Sequence, residues 1–300
     1  MQVLIDAAST GSLYALVALA IGLVFGVMRL INFVQGDYIT IGAYALIVPS
    51  AAATPTLFIG LWPVPLAIGG IMLIVVLVAL ATERAAFRPL RQTDPSTLLI
   101  SSFALSFLFQ QTMMLVYNSR PKSVDFGSSL AAAVAIGDLR VPGIQLVTMA
   151  TAAICGLALI LFLRRTSLGI EMRAAAEDFG MAQLLGVRAN RVIALAFAIS
   201  GALGAVSALL IVVQTGTLDY RMGVMPVIYG FFATVIGGMG SLAGAALGGF
   251  LVGAASQLLQ AWLPGDLRPF RDAFVFGLVI LVLLVRPEGI ARSRAARERV

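Results

Sequence analysis

The sequence predicts an all-α fold, a polytopic bundle of about eight or nine transmembrane helices, some short or broken. Three observations carry that expectation. Of 300 residues, 60% are hydrophobic and 11% charged, where a soluble domain carries roughly 25% charged residues. The mean hydropathy is +1.01. The apolar residues fall in runs near the ~20 residues that a spanning helix needs, and the charges gather between them. After loops are allowed for, no sizeable soluble domain fits, so residues 1–300 read as one transmembrane domain.

The elements follow in order. Span one covers about 9–28. RLINFVQGD (29–37) then interrupts the apolar pattern with Asn32, Gln35, Gly36 and Asp37. Span two, about 38–53, is short and ends before Thr54-Pro55. Span three is about 57–82, with Trp62, Pro63 and Pro65 near its start, and residues 83–95 form a basic loop. Span four, about 96–117, is polar for a span and holds Ser101, Ser102, Ser106, Gln110, Gln111 and Thr112. A long loop, 118–142, leads to span five at 143–163. Span six is about 192–213 and a polar turn follows to 222. Residues 226–239 are too few for a plain crossing. They lead into the glycine-rich GGMGSLAGAALGG, a span at 241–260 and a last span near 272–285. The tail 286–300 is basic.

Cytoplasmic loops collect arginine and lysine. The loops 83–95 and 164–191, the tail and Arg29 together hold 14 of the 20 basic residues. This arrangement puts the N-terminus outside and the C-terminus in the cytoplasm, with nine crossings if 226–239 counts as one.

The longest charged segment is RRTSLGIEMRAAAEDFGMAQLLGVRANRVI, residues 164–193. Good helix formers fill 172–185. Ala175, Phe179, Ala182 and Leu185 place a narrow apolar stripe on one face. Gly186 is placed to end that helix in the left-handed conformation, and Asn190 to cap the next span. The loop reads either as a folded connector or as a knob that docks a soluble partner.

Two segments break the helical pattern: Asn32 to Asp37, and the stretch from Tyr229 through the glycines to 249. Irregular backbone at membrane depth is tolerated where it is buried in protein or lines a cavity. One break follows the first span and the other precedes the penultimate one, as an inverted repeat would place them. Asp37 is either a cap at the start of span two or a pathway residue. Gly240, Gly244 and Gly248 suit close helix packing, while Gly237 and Gly238 suit a flexible or pathway-lining role. Ser102, Ser106, Gln110 and Gln111 are either interhelical hydrogen-bonding groups or pore lining.

Several chemistries are excluded. The basic residues follow topology and form no groove with interleaved aromatics, so no nucleic-acid partner is expected. Histidine is absent, and the single cysteine, Cys155, lies in an apolar run. His-based relays and triads, cysteine metal sites and disulfides are therefore ruled out. Lys122 is the one lysine and follows a proline, so no phosphate-cradling GK[ST] exists. Nor is there a positively charged leader ahead of the first apolar run. Uphill transport would draw its energy from a partner, with the 164–191 loop as its port. A self-sufficient carrier or channel would transport alone. A scaffold or membrane enzyme would need a catalytic constellation, and none is found.

Four stretches carry a family resemblance. GSLYALVALAIGLVFGVMRLINFVQGDYITIGAY resembles the N-terminal signature of LivH-type permeases, the membrane subunits of bacterial ABC importers for branched-chain amino acids. MRAAAEDFGMAQLLGVRANRVIALAFAISGALGAVSALL resembles their ATPase-coupling segment. VIGGMGSLAGAALGGFLVG and LLVRPEGI resemble their C-terminal signatures. The resemblance implies a complex in the bacterial inner membrane of this chain, a homologous second permease (LivM-like), two ABC ATPase subunits (LivG/LivF-like) and a periplasmic binding protein. ATP and Mg would sit on the ATPases, with no cofactor on this chain. Residues 174–186 become the helix that enters the ATPase, with Glu177, Asp178, Gly186 and Arg188 at motif positions beside Arg173, Ala175 and Ala182. The pathway is implied near the permease interface, with Asn32, Gln35, Gly36 and Asp37, and Ser106, Gln110, Tyr229, Gly237 and Gly238 as further candidates. Many relatives read N-F-A-H-G-D or -E where this chain has NFVQGD, so Gln35 replaces a histidine and a pH-titrating role there is in doubt. Branched-chain amino acids are the family's modal substrate; urea, short amides and aromatic acids are carried by close relatives.

Overall fold

The first apolar run folds as one unbroken helix, α1 (Gln2–Met28). It is apolar on all sides, which suits an interior position rather than a surface one. Its 27 residues extend for about 40 Å at ~1.5 Å per residue. The computed structural model describes residues 1–29, 32–50, 52–91, 93–127, 133–136, 139–286 and 289–290. In it α1 and α8 (Ala189–Thr215) are the central helices, with 67% and 72% of their apolar windows buried, against 11% for α4 (Pro95–Tyr117). Around α1 pack α5 (Gly143–Arg165), α9 (Val224–Gly237) and α10 (Leu242–Trp262). The α1–α10 contact depends on absent side chains. A Cβ on Gly249 would lie 2.5 Å from Ala15 Cα, and one on Gly253 2.8 Å from Gly11 Cα. Small residues four apart let two helices touch backbone to backbone in this way.

Six described helices are long and apolar enough to cross a membrane, fewer than the eight or nine expected. The other three expected spans are short helices: α2 (Gln35–Tyr44) with 10 residues, α9 with 14, and α11 (Arg271–Val285) with 15. Helices of that length reach roughly 15–22 Å, less than the ~30 Å hydrocarbon core. Every residue of α2 is buried. It stops at Tyr44, well before the expected 53, because Pro49 forces the residue before it out of helical geometry. The chain instead bends back, with Val48 N donating to Thr56 O at 3.0 Å beside an Ile47–Leu57 bridge.

α3 (Val64–Thr82) starts later than expected because Pro63 and Pro65 set its first turn. It also runs on past 82 through a π-helical turn, Glu83–Phe87, closed by Arg88 N on Glu83 O at 2.7 Å. The basic loop therefore begins a turn later than the charges implied. Its Arg91 pairs with Glu83, which is 5% exposed, and donates to Asn190 Oδ1 at 2.6 Å. Asn190 is thus engaged with Arg91 from inside the first turn of α8, and the N-cap is Arg188.

At the other end of the bundle, two stretches expected as loop form small sheets. Antiparallel β1 (Lys122–Ser123) pairs with β4 (Thr217–Leu218), and β2 (Ala133–Ile136) with β3 (Leu139–Pro142). Lys122 is 1% exposed, its Nζ donating to Ser50 O at 2.6 Å and Ala52 O at 2.7 Å. After α11, Ile290 N donates to Ile236 O at 2.7 Å. The expected basic tail beyond it, 291–300, lies outside the described residues, as do 287–288. Leu73, Leu77, Phe107, Leu115, Leu157 and Leu281 are exposed on the outer helices, as lipid-facing side chains would be.

Candidate functional site

Residues 166–188 form a platform on one end of the bundle. Thr166 starts it by capping α6 (Ser167–Glu177), its Oγ1 accepting from Gly169 N at 3.0 Å. The single helix expected over 172–185 is two, because Asp178 leaves the helical region and caps α7 (Phe179–Leu184), its Oδ1 accepting from Met181 N at 2.9 Å. A short carboxylate competes with the backbone for such bonds. Gly186 ends the segment as expected, at φ +93°. Val187 N bonds Ala182 O and Gly186 N bonds Gln183 O, both at 3.0 Å.

The platform has a foundation and a free face. Met172, Ala175 and Ala182 are buried, and α6 rests on α5, α1 and α8. Arg29 Nη2 adds a bond to Glu177 O at 3.4 Å. Ala175 and Ala182 therefore belong to the foundation. Arg173, Glu177, Asp178, Gly186 and Arg188 are exposed. Leu185, assigned to the apolar stripe, is 84% exposed, beside Leu184 at 83% and Met181 at 59%. Periodicity missed Met181 and Leu184, and it placed Leu185 on the packed stripe where the structure exposes it. Their signal was the presence of large apolar side chains in a charged loop.

The pathway candidates separate into groups. Asp37, 3% exposed, lies inside the first turn of α2 behind an N-cap at Val34, so it is not the cap. Ser106 and Gln110 of α4 face its carboxyl group, and Gln110 Nε2 donates to Ser106 Oγ at 3.1 Å. Gln35 points elsewhere. Its Nε2 donates to Ser200 O at 3.0 Å, and its Oε1 lies 2.6 Å from Ser200 Oγ. Asn32 Oδ1 accepts from Val34 N at 3.1 Å. Gly36 lets α2 meet the start of α9, where a Cβ would come 2.6 Å from Gly223 O. The first interrupted segment thus touches the start of α9, ahead of the second.

Tyr229 sits in a separate cluster. Its hydroxyl donates to Asp272 Oδ1 at 2.6 Å and its ring stacks on Tyr14 at 4.9 Å. Gly237 and Gly248 are the packing glycines, with Gly244 O and Ala233 O against the positions of their absent Cβ atoms. Gly240 has open space around it and φ +98°, so its role is the turn, as it is for Gly238 at φ +101°.

The chain is similar to curated membrane proteins over nearly its whole length. It is 36% identical to the high-affinity branched-chain amino acid transport system permease protein BraD of Pseudomonas aeruginosa, covering 97% of this chain and 95% of that one. It is 33% identical to the LivH permease protein of that system in Escherichia coli K12, over 97% and 94%. Its fold resembles PsaBC from Streptococcus pneumoniae in complex with Fab, at TM-score 0.50 and 13% identity, over 96% of this chain and 93% of that one. Residues 3–284 match the family described as branched-chain amino acid transport system / permease component. With six membrane-length helices among the described residues and that match, the chain is a multi-pass membrane protein and belongs to the branched-chain amino acid transport system permease component family.

Proposed function

We propose that this chain is the membrane-spanning permease subunit of an ABC importer in the bacterial inner membrane. It translocates branched-chain or related small amino acids that a periplasmic binding protein delivers. Two ABC ATPase subunits, LivG/LivF-like, supply the energy and hold the ATP and Mg; this chain binds no cofactor and performs no catalysis. A homologous LivM-like permease completes the membrane part. Residues 1–300 act as one permease domain, with 164–191 as the coupling loop and 286–300 as a cytoplasmic tail. The N-terminus is outside and the C-terminus inside, which puts the platform in the cytoplasm.

The observation that carries this reading is the exposed trio Met181, Leu184 and Leu185 on a rigidly seated platform. Exposed Leu side chains at such a density, on a platform that also exposes Arg173, Glu177, Asp178 and Arg188, suit insertion into a protein cleft. α7 packs on α6, and the foundation of α6 on α1, α5 and α8 gives a push on α7 a route into the central helices. The pathway candidates near the permease interface are the α2–α4 group.

ATPase activity of the reconstituted complex in proteoliposomes tests the reading. Binding protein loaded with leucine, isoleucine or valine stimulates hydrolysis, and Asp178→Lys abolishes that stimulation. Stimulation by urea, a short amide or an aromatic acid instead would change the substrate and keep the mechanism. Uptake by this chain alone, with no ATPase, would replace the importer with a carrier or channel.

A further inference from the structure

The seam between α2 and α4 is closed at both ends by aromatic pairs. Phe33 stacks on Phe103 with ring centroids 3.9 Å apart, and Tyr44 meets Tyr117 at 4.5 Å. Between the pairs lie Asp37 on α2 and Ser106 with Gln110 on α4. The spacing explains the grouping. Phe103, Ser106 and Gln110 are three and four apart, so they share one face of α4, while Phe33 lies in the turn just ahead of the Val34 N-cap of α2.

Asp37 is out of place as a structural residue. Its Oδ2 is buried and has no hydrogen-bond partner among the described residues, and its residue is 3% exposed. A buried carboxylate oxygen left unpaired carries a desolvation cost that native interiors avoid. Ionisable groups at membrane depth mark solute pathways for the same reason. The neighbouring helix is also the one best able to yield. α4 is the least buried span, and its main contacts are α2 and the π-helical turn after α3.

We propose that Asp37, with Ser106 and Gln110, is an intramembrane site that receives the primary ammonium group of a small amphiphilic solute, whose apolar part lies against the Phe33–Phe103 rings. The proposal rests on the importer reading for the source of that solute. An unpaired carboxylate oxygen accepts most strongly from a cationic donor, and an ammonium supplies one directly. Ser106 and Gln110, already bonded to each other, leave the amide oxygen and the second serine lone pair as further acceptors. A metal ion fits less well, since no group of three acidic, histidine or cysteine ligands occurs among the described residues. The stacked rings favour an ammonium that carries hydrocarbon.

Protection of Asp37 from dicyclohexylcarbodiimide, in the wild-type complex in proteoliposomes, tests this without any variant. Labelling is read by mass spectrometry of the peptide containing Asp37. L-Leucine and 3-methylbutylamine protect, and 4-methylpentanoate, which lacks the amine, does not. Equal protection by all three, or by none, overturns the proposal. Asp37→Asn supplies the second arm. Leucine uptake falls roughly ten- to hundredfold, and Asp37→Glu, which keeps the carboxylate, loses less. Wild-type uptake in Asp37→Asn overturns the proposal as well. If the wild-type complex shows no stimulated ATPase, the importer reading fails, and the protection pattern still decides the site.

Discussion

Gln35 and Ser200 are locked to each other across the buried face of α2. Ser200 Oγ lies 2.6 Å from Gln35 Oε1, and Gln35 Nε2 donates to Ser200 O at 3.0 Å. Ser200 Oγ is also 2.9 Å from Ala20 O, so α1, α2 and α8 meet at one point. A neutral amide fills the position with both its donor and its acceptor in use. Gln35→Leu removes both hydrogen bonds to Ser200 and costs about 1–3 kcal/mol, seen as a lower melting temperature in detergent. The Gln35→Leu/Ser200→Ala double variant loses about 0.6 kcal/mol less than the two single losses summed. Strictly additive losses would show that the pair does not act as a unit.

The exposed trio on α7 and its end makes the platform testable apart from the fold. Leu184→Asp and Leu185→Asp leave the melting temperature within about 0.5 kcal/mol of the parent's stability, since surface changes rarely do more. Both weaken retention of the ATPase subunits roughly tenfold or more. Co-purification at the parental ratio would place the docking contact elsewhere.

Arg91 and Arg88 differ in surroundings within one short loop. Arg91 faces buried Glu83 and reaches Asn190, whereas Arg88 is exposed. Arg91→Met leaves a buried carboxylate uncompensated and costs about 3–5 kcal/mol. Arg88→Met stays within about 0.5 kcal/mol. Thermal unfolding of the two proteins side by side checks this, and equal melting temperatures would refute it.

Glycines in similar apolar sequence have opposite tolerances. Gly253→Leu drives a side chain into the backbone of Gly11 and prevents α1 from seating on α10. It is expected to lose the monodisperse detergent-solubilised peak. A methyl group on Gly26 would meet nothing within 4 Å, so Gly26→Ala is neutral or stabilises by up to about 1 kcal/mol. Size-exclusion profiles and melting curves read both outcomes.

The sequence by itself determined the class and the punctuation. Hydropathy over windows of a helix length set the long spans, and prolines and glycines marked many of the ends. Gly186 behaves as its position implied, and α4 begins and ends where its apolar run does. These features are local, so composition and spacing carry them. Even there, Pro49 was a legible stop for α2 that the apolar run concealed.

The tertiary structure alone decided what the polar residues do. Asn32, Gln35 and Asp37 lie within six positions of one another. Yet Gln35 bonds Ser200 far along the chain, and Asp37 faces Ser106 and Gln110. A helix turns by about 100° per residue, so adjacent side chains meet different neighbours, and those neighbours come from elements that only the packed bundle brings together. The same holds for the glycines. Gly237 packs and Gly240 turns, because the nearness of another backbone is a property of the fold and not of the residue.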